Sequence, residues 1–210
     1  MHAIIFAGGT LQPGKAVDDA LAHADLIIAA DSGADSALGY GLTPSIIIGD
    51  FDSLVTPLRT LEDMGCEIIH AAREKDETDT ELAVQIAIER GASAITILGG
   101  LGGIRFDHTI ANILLLAGYE TPLRIVDGVT TCWLLRGPGS THVSGKSGDL
   151  LSLFPLTTEA TGIQTQHLYY PLHGDSLTFG KPRGVSNVLT HDEAEVSLAS
   201  GMLLLIHTTI

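Results

Sequence analysis

Six short runs rich in aliphatic and β-branched residues punctuate the first part of the chain. They are His2–Phe6, Leu26–Ala30, Ile46–Ile48, Cys66–His70, Ala94–Leu98 and Leu123–Val126. Val17–Ala24, a segment opened by Pro57 and stopped by Gly65, Thr78–Arg90 and Asp107–Ala117 lie between them and read as helices. Pro suits a helix start because its missing N–H would be unpaired there anyway. Strands alternating with helices require crossover connections. The spacing therefore predicts an α/β fold: a doubly wound, mostly parallel sheet with helices on both faces. Such sheets bind ligands beyond the carboxyl ends of their strands. Gly8, Gly9, Asp31, Asp50, Asp52, Asp79, Arg105 and Asp107 all fall just after expected strands or at the helix starts that follow them. Ordinary loop polarity would scatter such residues over both edges.

After residue 127 the helical periods fade. Thr131–Leu135, Leu150–Phe154, His167–Leu172, Ser176–Phe179, Glu195–Leu198 and Leu203–Thr208 read as strands, punctuated by Gly, Pro, Asn and Asp. They predict a smaller antiparallel β-sandwich or barrel over 128–210, behind an α/β domain over 1–127. There is no internal repeat and no low-complexity linker.

A length of 210 residues is enough for one large domain or two small ones, with about 70% of the unfolded surface buried. The formal net charge of −14 removes the basic footprint that nucleic acid or an anionic membrane would need. ATP remains compatible if a divalent cation offsets the repulsion. The first residues lack the basic and apolar pattern of a signal peptide, and no run approaches a membrane span. Cys66 and Cys132 lie in segments of different character and read as free thiols in a reducing cytoplasm.

Ile46-Ile47-Ile48-Gly49-Asp50-Phe51-Asp52-Ser53 is a buried strand leading into two carboxylates. In extended chain, residues two apart share a face and lie roughly 6–7 Å apart. Asp50 and Asp52 would then reach one metal ion or two adjacent ones, as in Mg²⁺ sites facing phosphate. The alternative is a polar turn. Lys75-Asp76-Glu77-Thr78-Asp79-Thr80-Glu81 is dense in acid. Thr78 and Glu81 fit a capping box, and acids near a helix start suit its dipole. Alternatively, Asp79 joins Asp50 and Asp52, which would repel one another without a cation. Gly100-Leu101-Gly102-Gly103-Ile104-Arg105-Phe106-Asp107-His108 offers glycines for close anion approach and Arg105 for a bidentate phosphate clamp. Asp107 suits a helix cap, and His108 a phosphate donor. Gly9–Ala16 resembles a P-loop, but Ala16 stands where Ser or Thr must hold Mg²⁺, and Pro13 removes an N–H.

With these residues placed, the chain resembles the bacterial thiamine pyrophosphokinases. Ala30-Asp31-Ser32-Gly33-Ala34 is similar to that family's Ala-Asp-Gly-Gly-Ala, and Gly49–Ser53 to its Gly-Asp-Phe-Asp-Ser. Lys75–Thr80 matches Lys-Asp-x-Thr-Asp. Gly100, Gly103, Arg105, Asp107, His108 and Asn112 follow a further motif, with Ile104 where Gly is frequent. Gly184-Val185-Ser186-Asn187 resembles Gly-Ile-Ser-Asn, and Tyr170 takes the family's aromatic position. The resemblance implies transfer of the ATP diphosphoryl group to the thiamine hydroxyl, giving AMP and thiamine diphosphate. It implies Mg²⁺ on Asp50, Asp52 and Asp79, and Gly8, Gly9, Asp31, Ser32, Gly33, Lys75 and the 100–108 loop along the nucleotide. Asp76 and Asp79 are both possible general bases. It further implies a homodimer, with thiamine between the α/β domain of one subunit and the β domain of the other, against Tyr170, Ser186 and Asn187.

Two rivals fit less well. A phosphatase with an Asp50 nucleophile would place that pair on the first strand and follow it with Thr or Val. A nucleotide or thiamine sensor would not need three metal ligands.

Overall fold

The computed structural model describes residues 1–210, which divide into two compact units, Met1–Gly128 and Val129–Ile210. The first unit runs β1 (His2–Phe6), α1 (Lys15–Leu21), β2 (Leu26–Ala30), α2 (Gly33–Gly39), β3 (Ile46–Gly49), α3 (Leu58–Asp63), β4 (Glu67–His70), α4 (Asp79–Glu89), β5 (Ala94–Leu98), α5 (Phe106–Leu115) and β6 (Leu123–Asp127). Its strands are parallel, in the order β6-β5-β1-β2-β3-β4. The chain winds outward from β1 to β4, then returns to β5 on the other side of β1. The winding direction therefore reverses between β1 and β5, where such sheets open a crevice.

The sheet is covered on both faces, so its strands are apolar almost throughout. Val17, Ala20, Ala34, Ala37 and Leu61 of α1, α2 and α3 pack with Ile4, Phe6, Ala29, Ile47 and Leu98 in one cluster. Helix α4 buries Ala83, Val84, Ile86 and Ala87 and lies along β1, β2 and β3. The outermost strand, β4, is short and only half buried, and Glu67 at its start is forked onto Arg90 at 2.7 and 2.9 Å.

Helix α2 (Gly33–Gly39) is not among the helices expected from sequence. Gly-Ala-Asp-Ser-Ala-Leu-Gly carries too few large apolar residues to show a helical period. It packs through smallness instead: Ala34 and Ala37 are fully buried, and a Cβ on Gly33 would lie 2.0 Å from the Phe6 carbonyl oxygen.

Helix α4 starts as its sequence suggests. The Thr78 hydroxyl accepts the Glu81 N–H at 3.1 Å, while the Glu81 side chain accepts from the Tyr119 hydroxyl at 3.3 Å rather than reaching back. The capping box is thus half formed. Thr78→Ala is expected to lower unfolding free energy by about 1 kcal/mol, and Thr78→Ser to preserve it. Denaturant midpoints at unchanged slope measure this.

The second unit runs β7 (Thr130–Arg136), β8 (Gly139–Ser144), β9 (Leu150–Pro155), β10 (Glu159–Gln166), β11 (His173–Thr178), β12 (Asn187–Val188), β13 (Glu193–Leu198) and β14 (Met202–Thr208). Antiparallel strands in the orders β12-β9-β14-β7 and β11-β10-β13-β8 share one core. Leu151, Leu153, Leu203 and Leu205 meet Val143, Ile163, Val196 and Leu198 there, as in a sandwich. Three strands lie outside the expected runs: β8, β10 and the two-residue β12. β8 buries only Val143, and β10 carries Gly162 at φ 65° with a register shift, which breaks its alternation. Conversely, 167–172 is a connection and not a strand; His167 has φ 60°, and Tyr169 and Tyr170 face solvent. Cys66 and Cys132 are free and buried.

Candidate active site

The carboxyl ends of β1, β2, β3 and β5 and the start of α4 line one cavity of about 310 Å³. Gly8, Gly9, Asp31, Ser32, Asp50, Asp52, Asp79, Gly100, Gly103, Arg105 and His108 all contribute to its wall. The glycines allow the two loops flanking the reversal point to touch: a Cβ on Gly9 would meet the carbonyl oxygens of Gly99 and Gly102 at 2.2 and 2.4 Å. The β5 loop is held from below. Asn112, buried on α5, donates to the Gly100 carbonyl at 3.0 Å, and the Thr109 hydroxyl donates to Leu101 at 3.1 Å.

Inside this cavity the carboxylates of Asp31, Asp50 and Asp79 bring one oxygen each within 4.8 Å of one another. Asp31 follows β2 in the left-handed region, at φ 49°, and its N–H donates to the Ile48 carbonyl of β3 at 2.8 Å. The Ser53 hydroxyl donates to one Asp31 oxygen and lies 3.2 Å from an Asp52 oxygen. The other Asp31 oxygen and Oδ1 of Asp79 are buried without a hydrogen-bond partner. Lys75 Nζ stands 2.9 Å from that Asp79 oxygen, an ion pair whose direction does not make a hydrogen bond. Burial pushes the Asp31 carboxyl above its ordinary range, Ser53 opposes this, and the nearby Asp79 and Asp50 add to the rise. Crowded carboxylates with unsatisfied oxygens form the donor set that a hard divalent cation takes.

This trio differs from the expected one. Asp52 lines the same cavity but does not belong to the cluster, and its carboxylate lies 3.4 Å from Arg73. The reason is local. β3 ends at Gly49, Phe51 adopts φ 61°, and the Asp52 N–H folds back onto Asp50 Oδ1 at 3.3 Å. The rule for residues two apart in extended chain no longer applies there. Asp31 takes the third place because Ala30 pairs with Ile48, which sets Asp31 beside Gly49, the residue just before Asp50.

Other residues singled out from sequence fall into place unevenly. Asp76 is exposed and outside the cavity wall. Gly33 lies beneath the site, packed on Phe6. Asp107 does not cap α5: Arg105 holds the N-cap position and forks onto Asp107 at 2.9 and 2.6 Å, pulling that carboxyl down to about 2. The P-loop-like segment is spent on packing, with Gly14 against Gly128 and the Gln12 N–H on Asp127 at 2.7 Å.

In the second unit Tyr170 is 66% exposed, edge-on to Tyr169 at 4.8 Å. The buried Asn187 is occupied by the main chain of Tyr170: its Oδ1 accepts from Tyr170 N–H at 3.0 Å and its Nδ2 donates to the Tyr170 carbonyl at 2.8 Å. It presents Tyr170. Ser186 is exposed at φ 57°.

A crevice at the reversal point, glycine loops on two strands and a carboxylate trio define a class, an α/β enzyme whose ligand sits beyond the carboxyl ends of its strands. Comparison with known proteins narrows it. Residues 17–126 match the family model described as thiamin pyrophosphokinase, catalytic domain, and residues 141–203 that described as thiamin pyrophosphokinase, vitamin B1 binding domain. The chain is 30% identical to the thiamine pyrophosphokinase of Bacillus subtilis over 213 residues, covering 98% of this chain and 97% of that one. The crystal structure of the B. subtilis enzyme superposes with a TM-score of 0.86, over 100% and 99% of the two chains. That of the Geobacillus thermodenitrificans thiamin pyrophosphokinase gives 0.83 at 27% identity, over 100% and 98%. The chain belongs to the thiamine pyrophosphokinase family and is a kinase-type transferase.

Proposed function

We propose that the cavity of the first unit is where the diphosphoryl group of ATP passes to the thiamine hydroxyl, giving thiamine diphosphate and AMP. The observation that carries this is the meeting of Asp31, Asp50 and Asp79 beside two glycine loops, in a chain of this family. Those three carboxylates would hold Mg²⁺, which when bound neutralises charge on the transferred group. Main-chain N–H groups near Gly8, Gly9, Gly100 and Gly103 approach the phosphates, and Arg105 and His108 meet their outer oxygens. Lys75 restrains Asp79. Asp52 works at the rim. Such transfers rest on positioning and charge neutralisation more than on a strong base.

The enzyme works as a homodimer in which Tyr170 and Ser186 of a second copy receive thiamine, Asn187 holding the Tyr170 main chain in place and the exposed tyrosine offering a ring face to a cation. An uncovered apolar stripe supports the dimer: Phe106, Ile110 and Leu114 are spaced by one helical turn along α5 and exposed, as is Ile104 ahead of them. No helix is long and apolar enough to cross a membrane, and the buried free thiols suit the cytoplasm.

Incubation with ATP, Mg²⁺ and thiamine tests the reaction. AMP must appear in step with thiamine diphosphate. Free phosphate would instead indicate a phosphatase, and absence of product a sensor. Mixing Asp50→Asn with Tyr170→Ala tests the shared site, since each inactive partner carries what the other lacks. Recovered activity is the expected result, and none on mixing would remove the shared site.

A further inference from the structure

Asp35 lies in the first turn of α2, next to the cavity but outside the carboxylate trio. Both of its oxygens are used on the loop that follows β3. Oδ2 accepts the Val55 N–H at 2.8 Å, and Oδ1 accepts the Thr56 N–H at 2.9 Å and the Thr56 hydroxyl at 2.6 Å. That loop carries Asp50, Asp52 and Ser53. No hydrogen bond between main-chain groups holds residues 51–56. Its front half is tied to the acidic cluster itself, through Asp52 N–H on Asp50 and Ser53 on Asp31. Phe51 and Leu54 rest against the core. Beyond Leu54 packing gives out: Val55 is 85% exposed, and Asp35 and Ser36 of α2 line an open cavity of about 480 Å³ together with Ser53 and Val55.

We propose that Asp35 is a positioning residue that clamps the far end of the 50–56 loop, so that Asp50 and the Ser53 hydroxyl are delivered to the carboxylate cluster, and that it thereby sets divalent-cation affinity. This rests on the metal role given above to Asp31, Asp50 and Asp79. A second anion beside the cluster would ordinarily be a burden. Here its charge is spent on three donors, and these outweigh burial to hold the Asp35 carboxyl below its usual range, so the clamp stays ionised at neutral pH. Groups hydrogen-bonded directly to a metal ligand commonly control affinity about 10–100-fold; Asp35 acts through the loop, so the lower end of that range is expected.

Asp35→Asn keeps the size of the side chain but turns an N–H toward the donors of Val55 or Thr56. Calorimetric titration of nucleotide-free protein with Mn²⁺ is expected to show affinity about tenfold weaker than wild type. Amide exchange at Val55 and Thr56 should accelerate, and KM for Mg-ATP should rise while KM for thiamine stays. Thr56→Ser retains every donor and should behave as wild type. An Asp35→Asn protein that binds Mn²⁺ within about twofold of wild type overturns the proposal, whatever its melting temperature or activity. A wild-type protein that takes up no Mn²⁺ removes the metal assignment, and this proposal with it. Wild type that binds Mn²⁺ but makes no thiamine diphosphate removes the reaction alone.

Discussion

Asp50→Asn is expected to lower turnover at least about 100-fold, close to 2.7 kcal/mol of transition-state stabilisation, without unfolding the protein. The cause is the loss of one of three anionic oxygens gathered within 4.8 Å. The same crowding fixes the sign of the stability effect. In the absence of divalent cation the variant loses a repelling neighbour of Asp31, so it should melt no lower than wild type. Adding Mg²⁺ should raise the wild-type melting temperature more than that of the variant, because an ion that binds only the native state stabilises it by mass action. Turnover within about threefold of wild type, or equal Mg²⁺-induced shifts, would remove Asp50 from the metal site.

Gly9→Ala is the second large effect, and it is steric. The new methyl would meet the carbonyl oxygens of Gly99 and Gly102 at 2.2 and 2.4 Å, groups of a fixed main chain that cannot swing away like a side-chain tip. The loops must part, at a cost of about 1–3 kcal/mol. Because they form the wall of the cavity, KM for ATP should rise with the loss of stability. Gly39→Ala is the control. Nothing lies within 4 Å of a Cβ there, and as the last residue of α2 it should gain up to about 1 kcal/mol from helix propensity. Thermal midpoints moving in opposite directions for the two variants is the expected outcome. A Gly9→Ala protein as stable as wild type would show that the loops are not in firm contact.

The parallel sheet was legible because buried strands have no polar face to confuse the pattern. β1, β2 and β5 run between the residues their apolar runs suggest. Elements that pack by small size or irregular backbone were not legible. Helix α2 hides between two glycines, β10 is broken by the Gly162 bulge, and His167–Leu172 looks like a strand by composition although its first residue turns left-handed. The site shows the same division. Asp50 and Asp79 could be picked out by their place after β3 and at the start of α4. Replacement of Asp52 by Asp31 in the cluster follows from the Phe51 backbone and from register between β2 and β3, neither of which residue identity fixes. Asp35 gave no signal at all, since a lone acid in a small-residue stretch resembles any solvated side chain.

Strand β4 ends the parallel set with main-chain donors and acceptors that no further strand takes up. Such a border invites another chain to add on and propagate into aggregates. Its brevity offers an incoming segment only four residues to grip, and Glu67, forked onto Arg90, stations charge at the point of entry. An intruding strand would have to pull that fork apart and approach a chain already carrying a net charge of −14. The border is thus guarded against runaway polymerisation by its shortness and by charge.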